Sequence, residues 1–181
     1  MPSVFISPSV QEFNPYVDGG NEEYYMNLVA DELIPYLEAS GITVARNNPN
    51  ESLSSAIAKS NAGSYDLHLA LHSNAAPESL SGKLKGADVY YFPTSSAGAR
   101  AAEQIAANYK NIYPDPNDVK TIPSSSLAEL RRTKAPAVLI ETAYHDNPED
   151  AQWIRENIAQ IARNLALSVT EFLGVPFSEP V

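Results

Sequence analysis

The sequence has no cysteine, only three histidines and one tryptophan among its 181 residues, and no apolar run long enough to cross a bilayer. The lack of cysteine excludes disulfide bonds and thiolate metal sites, although it does not determine the compartment. Residues 1–5 lack the charged start and apolar core of a secretory signal. We therefore predict a chain with no membrane insertion.

Basic residues are also few, with 12 lysines and arginines against 22 aspartates and glutamates. The resulting formal net charge of −10 repels nucleic-acid phosphate and anionic membrane surfaces. The only small basic group in the sequence is formed by Arg131, Arg132 and Lys134. We therefore expect no nucleic-acid partner.

Apolar residues make up 44% of the chain and follow alternating helix and strand patterns, which predicts one α/β domain over residues 1–174. We expect a twisted mixed sheet with helices on both faces, in a monomer. Residues 175–181 resemble the start of a linker to a further, wall-binding domain. Residues 113–126 are predicted to be mostly irregular and to cover the site, and residues 127–132 fit either a short helix or a strand. Predicted strands cover residues 3–6, 42–44, 66–72, 87–92 and 136–141, and predicted helices begin at Asn21, Asn50, Ser95 or Ser96, and Asn147, the last one running to Gly174.

Two of the apolar strands end on a titratable side chain, His72 in one case and Glu141 in the other. Ligands of open α/β sheets bind beyond the carboxyl ends of the strands, so both positions are candidates for chemistry. His72 could instead only hydrogen-bond in a strand-to-loop corner, and Glu141 could cap a neighbouring helix. Because a buried carboxylate is costly unless it is paired or binds a metal, we favour a functional role for Glu141.

Glu22 lies at the start of the first helix, in line with the apolar stripe that continues through Met26 and Val29. Its side chain is therefore predicted to point toward the sheet. For Glu23, the favourable position of an acid at a helix N-terminus is a sufficient explanation. A histidine and a carboxylate on a metal, with a further glutamate as base, would form a zinc hydrolase site.

Three motifs in register resemble the zinc-dependent N-acetylmuramoyl-L-alanine amidases of the amidase-3 type. Residues 65–75, YDLHLALHSNA, are similar to their "aDlfiSiHaNa"; residues 131–147 are similar to "LR.t..PavLvEtgFisN"; and residues 22–33 are similar to "EkxxNLxxAxxL". The resemblance implies that His72 and Glu22 bind Zn²⁺ and that Glu141 is the catalytic general base. The position of Asn27 and Leu28 within the third motif would instead select Glu23 as the ligand.

The resemblance breaks down after the first strand. The family has Gly-His-Gly-Gly there, with a zinc-binding histidine, whereas this chain has no histidine before His68. Gln11 lies nearer to the family position and Glu12 is the chemically better ligand. We favour Gln11 on position as the third metal ligand.

Three further residues are candidates for the site, and the third histidine is not. His145 could reach the metal or the scissile amide, Asn74 could shape the loop or bind substrate, and Arg131 could hold a carboxylate of the peptide. His68 lies about 13 Å along the strand from His72, too far to share a metal, and is expected in the core or behind the site.

The resemblance implies a peptidoglycan hydrolase, an autolysin or endolysin that cleaves the amide between N-acetylmuramic acid and L-alanine at the bacterial cell wall or outside the cell. The alternatives are a zinc peptidoglycan peptidase or carboxypeptidase, and a wall-binding module that has lost catalysis. Peptidoglycan is the expected partner in each case.

Overall fold

The apolar strands form a six-stranded mixed sheet in the order β2-β1-β3-β6-β4-β5 in a computed structural model that describes residues 1–181. β4 pairs antiparallel with β6, and every other neighbouring pair is parallel. The predicted α/β fold class is confirmed. The strands are β1 Ser3–Pro8, β2 Thr43–Arg46, β3 Leu67–Asn74, β4 Ala87–Tyr91, β5 Val119–Pro123 and β6 Ala137–Tyr144.

Six α-helices cover the two faces of this sheet. Asn21, Ser95 and Asn147 each accept backbone N–H hydrogen bonds at a helix start, as N-caps do. The second helix is capped by Ser52 rather than by the predicted Asn50. The helices are α1 Glu22–Ala39, α2 Leu53–Ala62, α3 Ser96–Tyr109, α4 Ala128–Arg131, α5 Pro148–Glu156 and α6 Ile158–Leu173.

The alternation of side chains along β3 separates two layers. Leu67, Leu69 and Leu71 enter the large core, which also contains residues of α1, α3, α5 and α6. Residues of the opposite parity, with His68 and His72 among them, face the layer that contains α2 and α4. Two of the three histidines are therefore on the thinly covered face of the sheet.

Three predictions for the second half of the chain are wrong. Residues 113–126 do not cover the site, since none of them lines it, and five of them form the edge strand β5, which pairs with β4. β5 ends at Pro123, and a sheet edge tolerates a residue without an N–H. β6 continues past Glu141 to Tyr144, because Tyr144 pairs with the end of β3. The last predicted helix is two helices, interrupted at the non-helical Asn157.

The C-terminal residues lie against α1 and α6. The Phe177 ring stacks on Tyr36 at 5.9 Å between centroids, and the Arg163 guanidinium lies 5.0 Å from its centre. The Ser178 N–H donates to Ser40 Oγ at 3.0 Å. A linker function for residues 175–181 stays a prediction. No helix has both the length and the apolar character needed to cross a membrane.

Candidate active site

A cavity of about 210 Å³ opens at the carboxyl ends of the central strands. β3 and β6 supply part of its wall, and the N-terminal ends of α1 and α4 supply more. This is the edge where open α/β sheets bind ligands. The polar side chains that line it are Gln11, Asn14, Glu22, His72, Ser73, Asn74, Glu129, Glu141 and His145.

Glu22 and His72 meet directly in this cavity. Glu22 Oε1 lies 2.8 Å from His72 Nδ1, and Glu22 Oε2 accepts a hydrogen bond from Asn14 Nδ2 at 2.7 Å. Burial alone would raise the pKa of Glu22, but the hydrogen bond and charge of His72, helped by Asn14, hold that pKa below its ordinary value. The first turn of α1 therefore presents an ionised carboxylate to the imidazole.

The other side of the His72 ring contacts Glu129, a residue that the sequence analysis did not select. His72 Nε2 lies 2.9 Å from Glu129 Oε2, and His68 Nε2 lies 3.0 Å from Glu129 Oε1. The Ser7 hydroxyl also donates to Glu129 Oε1. Burial would lower the pKa of His72, but its hydrogen bonds to Glu129 and then Glu22 raise that pKa well above the ordinary value in the metal-free protein.

Glu129 was missed because residues 127–132 fit either a helix or a strand, so the sequence does not show where its side chain points. α4 is only four residues long, so no periodicity shows which of its faces is buried. The available signal was His68, which stands between Leu67 and Leu69 in a fully buried strand. A buried histidine requires hydrogen-bonding partners, and a search for its partner would have led to an acid elsewhere in the chain.

Glu141 lies beside His72 on the neighbouring strand, since the two residues are register partners between β3 and β6. Its Oε2 atom is buried and has no hydrogen-bond partner. Burial raises the pKa of Glu141 to about 7, with nearby His72 opposing that rise and Glu22 adding to it. This carboxyl can therefore exchange a proton near neutral pH.

A family model described as N-acetylmuramoyl-L-alanine amidase matches residues 12–171. The chain belongs to this family. The resemblance drawn from its motifs is thereby confirmed.

Three curated relatives carry amidase or endolysin names. N-acetylmuramoyl-L-alanine amidase LytC of Bacillus subtilis (strain 168) is 29% identical over 86% of this chain and 32% of its own length. The endolysin of Bacillus phage SPP1 is 28% identical over 65% of this chain and 44% of its own. The probable cell wall amidase LytH of Staphylococcus saprophyticus is 27% identical over 87% of this chain and 50% of its own. The chain thus spans between a third and a half of these relatives.

Solved amidase structures share the fold. The amidase AmiC2 of Nostoc punctiforme superposes with a TM-score of 0.85 at 19% identity, over 96% of this chain and 97% of that one. The catalytic domain of the CD27L endolysin, which targets Clostridia difficile, gives 0.77 at 24% identity, over 94% and 98%. The amidase-family assignment and the α/β architecture therefore agree.

The sequence left two choices of ligand open in this amidase-family domain, Gln11 or Glu12 and Glu22 or Glu23. Only one residue of each pair lines the cavity. Gln11 lines it and its Oε1 accepts from Asn14 Nδ2 at 2.6 Å, whereas Glu12 is exposed and borders a separate depression. Glu22 is 1% exposed and inside, and Glu23 lies outside next to Glu12. The structure therefore places Gln11 and Glu22, rather than Glu12 and Glu23, at the cavity.

His145 also lines the cavity, and its ring contacts a pair of hydroxyl groups. Its Nδ1 lies 2.9 Å from Ser73 Oγ, which accepts from the Tyr16 hydroxyl at 2.8 Å, and its ring stacks on Tyr16. Burial lowers the pKa of His145. Asn74 also borders the cavity, and its Oδ1 caps Ala75 N–H at 2.9 Å. Arg131 is exposed and does not line the cavity.

No three side chains of histidine, cysteine, aspartate or glutamate are grouped so as to hold a metal ion. The cavity provides the pair Glu22 and His72, and zinc takes carboxylate and imidazole ligands of this kind. Gln11 and His145, two of the residues considered from the sequence as a third ligand, line the same cavity. Glu141 Oε2 is buried without a hydrogen-bond partner in the protein, which also fits a site that binds an ion or a small molecule. The donor set thus fits zinc as a two-residue core that needs a third ligand.

Proposed function

We propose that this domain hydrolyses the amide between the lactyl group of N-acetylmuramic acid and L-alanine in peptidoglycan, with zinc as its cofactor. The observation that carries the proposal is that Glu22, His72 and an unpartnered Glu141 meet in one cavity of an amidase-family fold. The names of the curated relatives, two amidases and an endolysin, support the same substrate.

Glu22 and His72 would hold the zinc, with Gln11 as the third side chain and His145 as the alternative. Bound zinc polarises a carbonyl group and lowers the pKa of a bound water toward neutrality. A carboxamide oxygen is a weak zinc ligand compared with histidine, so this site would bind its metal less tightly than a site with three strong ligands.

Glu141 would act as the general base. Its free oxygen takes a proton from the attacking water while the water oxygen forms a bond to the amide carbon. The same carboxyl then passes that proton to the nitrogen as the carbon–nitrogen bond breaks, which releases the stem peptide with a free L-alanine amine. The same oxygen suits both steps, because the carboxyl must accept and release one proton in each turnover and no protein group occupies it.

The remaining expectations follow from this activity. Peptidoglycan would be the partner, and the bacterial cell wall or its surroundings would be the location. A monomer, and a wall-binding domain in a longer chain, stay predictions. With a net charge of −10, this domain by itself is poorly suited to anionic wall polymers.

Mass spectrometry of digested cell walls tests the proposal. Release of intact stem peptides that begin at L-alanine is expected, together with about one equivalent of zinc in the purified protein. Shortened stems that stay attached to sugar would favour a peptidase instead. A protein that binds walls without cleaving them, and that takes up no zinc when zinc is added, would favour a binding module. A Glu141→Gln variant, which retains both metal-binding side chains, is the matched control for background hydrolysis.

A further inference from the structure

We propose that Glu129 is a positioning residue that holds His72 with its proton on Nε2, so that Nδ1 is the nitrogen that binds the metal. This inference rests on the proposed function, because it assigns a role to a carboxylate behind the proposed zinc ligand. It also extends the site to Glu129, a residue outside the three motifs that carry the family resemblance.

The two ring nitrogens of His72 face two different carboxylates. Nδ1 lies 2.8 Å from Glu22 Oε1 and Nε2 lies 2.9 Å from Glu129 Oε2. The two ring nitrogens of an imidazole point in different directions. A metal ion bound to one nitrogen can therefore contact only the carboxylate on that side of the ring. An ionised carboxylate can only accept hydrogen bonds, so the nitrogen that faces the other carboxylate must carry the proton.

The partners of the two carboxylates determine which one faces the proton. Glu129 contacts buried side chains through both oxygens: Oε2 contacts His72, and Oε1 contacts both His68 and the Ser7 hydroxyl. Glu22 contacts Asn14 Nδ2 through Oε2, and the same Nδ2 donates to Gln11 Oε1, so the proposed third ligand lies on the Glu22 side of the ring. Glu22 can therefore share a metal with Nδ1, and Glu129 is left as the acceptor of the Nε2 proton.

A buried chain of hydrogen bonds fixes Glu129 in place. His68 is fully buried, its Nδ1 lies 2.9 Å from Ser60 Oγ on α2, and its ring stacks on Phe5. Glu129 is itself only 2% exposed. The carboxylate is thus held from α2, β1 and β3 at once, and it cannot turn away from His72 without leaving buried donors unpaired.

A carboxylate behind a metal-binding histidine orients the ring and strengthens the ligand, and loss of such a partner lowers metal affinity by about 10- to 100-fold. Glu129→Gln is therefore expected to raise the dissociation constant for zinc by about 10- to 100-fold, measured by competition with a chromophoric chelator. Stem release at saturating zinc is expected to change much less. Glu32→Gln, an exposed carboxylate of α1, is the matched control and should bind zinc like the unaltered protein.

Nitrogen NMR of the unaltered, zinc-loaded protein provides a second test that does not depend on how the variant folds. The chain has three histidines, so His72 can be assigned with single His68 and His145 variants. We expect a protonated Nε2 and a metal-bound Nδ1. The reverse pattern overturns the inference, as does unchanged zinc affinity in a folded Glu129→Gln variant, or an unaltered protein that binds no zinc. Failure of the proposed function is a separate result, the absence of stem release by the unaltered protein.

Discussion

Glutamine in place of Glu141 should change how the stability of the metal-free protein depends on pH. Burial raises the pKa of this carboxyl from its ordinary 4.5 to about 7. Between these values the folded state keeps a proton that the unfolded state has lost. The free energy of unfolding contributed by Glu141 therefore falls as pH rises through this window, and the full loss is present above about pH 7.

The size of the loss follows from the two pKa values. At about 1.4 kcal/mol per pH unit, a carboxyl raised from 4.5 to about 7 costs the folded state about 3 kcal/mol at alkaline pH. Glutamine does not ionise, so the variant escapes this loss. The cost of burying its amide without a partner is the same at every pH and cancels when two pH values are compared.

Urea unfolding in the presence of a chelator measures the effect. Between about pH 5 and about pH 8, Glu141→Gln should gain about 2.5 kcal/mol relative to the unaltered protein, because part of the loss is already present at pH 5. The comparison between proteins is needed because His72, whose pKa is raised, and Glu22, whose pKa is lowered, also titrate. Glu32→Gln, at an exposed position, should give curves parallel to those of the unaltered protein. If the curves of Glu141→Gln are also parallel to those of the unaltered protein, Glu141 is not a buried carboxyl that resists ionisation.

Three other predictions concern the site with zinc bound. Glu141→Gln should slow stem release by at least about 100-fold while zinc content stays unchanged, and lost zinc would instead make Glu141 a ligand. Metal analysis of the purified variants should show that Glu22→Gln loses zinc and that Glu23→Gln keeps it. The opposite result would make Glu23 the ligand, as the position of Asn27 and Leu28 in the motif suggests. In chelator competition, Gln11→His should bind zinc more tightly, because imidazole is a stronger zinc ligand than a carboxamide, and Glu12→Gln should bind zinc like the unaltered protein. Equal zinc affinities for the unaltered protein and both variants would show that Gln11 is not a ligand.

The sequence was sufficient for the residues whose positions follow from the regular geometry of strands and helices. His72 and Glu141 end apolar stretches of parallel strands, and such strand ends share one edge, where the register indeed pairs the two residues. Glu22 continues an apolar stripe by helical spacing, which separates it from the adjacent Glu23. In each case a short-range pattern determines where the side chain points.

The sequence was insufficient where contacts with residues distant in the chain determine the structure. β5 lies in a proline-rich stretch, and only its pairing with β4 makes it a strand. Glu129 follows the same rule, because its contacts are with His68 and His72, about sixty residues earlier in the chain. A four-residue helix contains too little pattern to predict such contacts.

The departures of this chain from the family motifs are close together in space. The stretch similar to "aDlfiSiHaNa" has His68 where the motif has an apolar residue, and the expected first histidine is missing from the segment that follows Ser7. In the structure Ser7 and His68 both contact Glu129, which in turn contacts His72. A site with one strong ligand fewer depends more on the ligands that remain. Under the two proposals, the buried carboxylate behind His72 would offset part of the affinity lost with the missing histidine, because orientation and basicity of a ligand add to metal affinity as an extra ligand does.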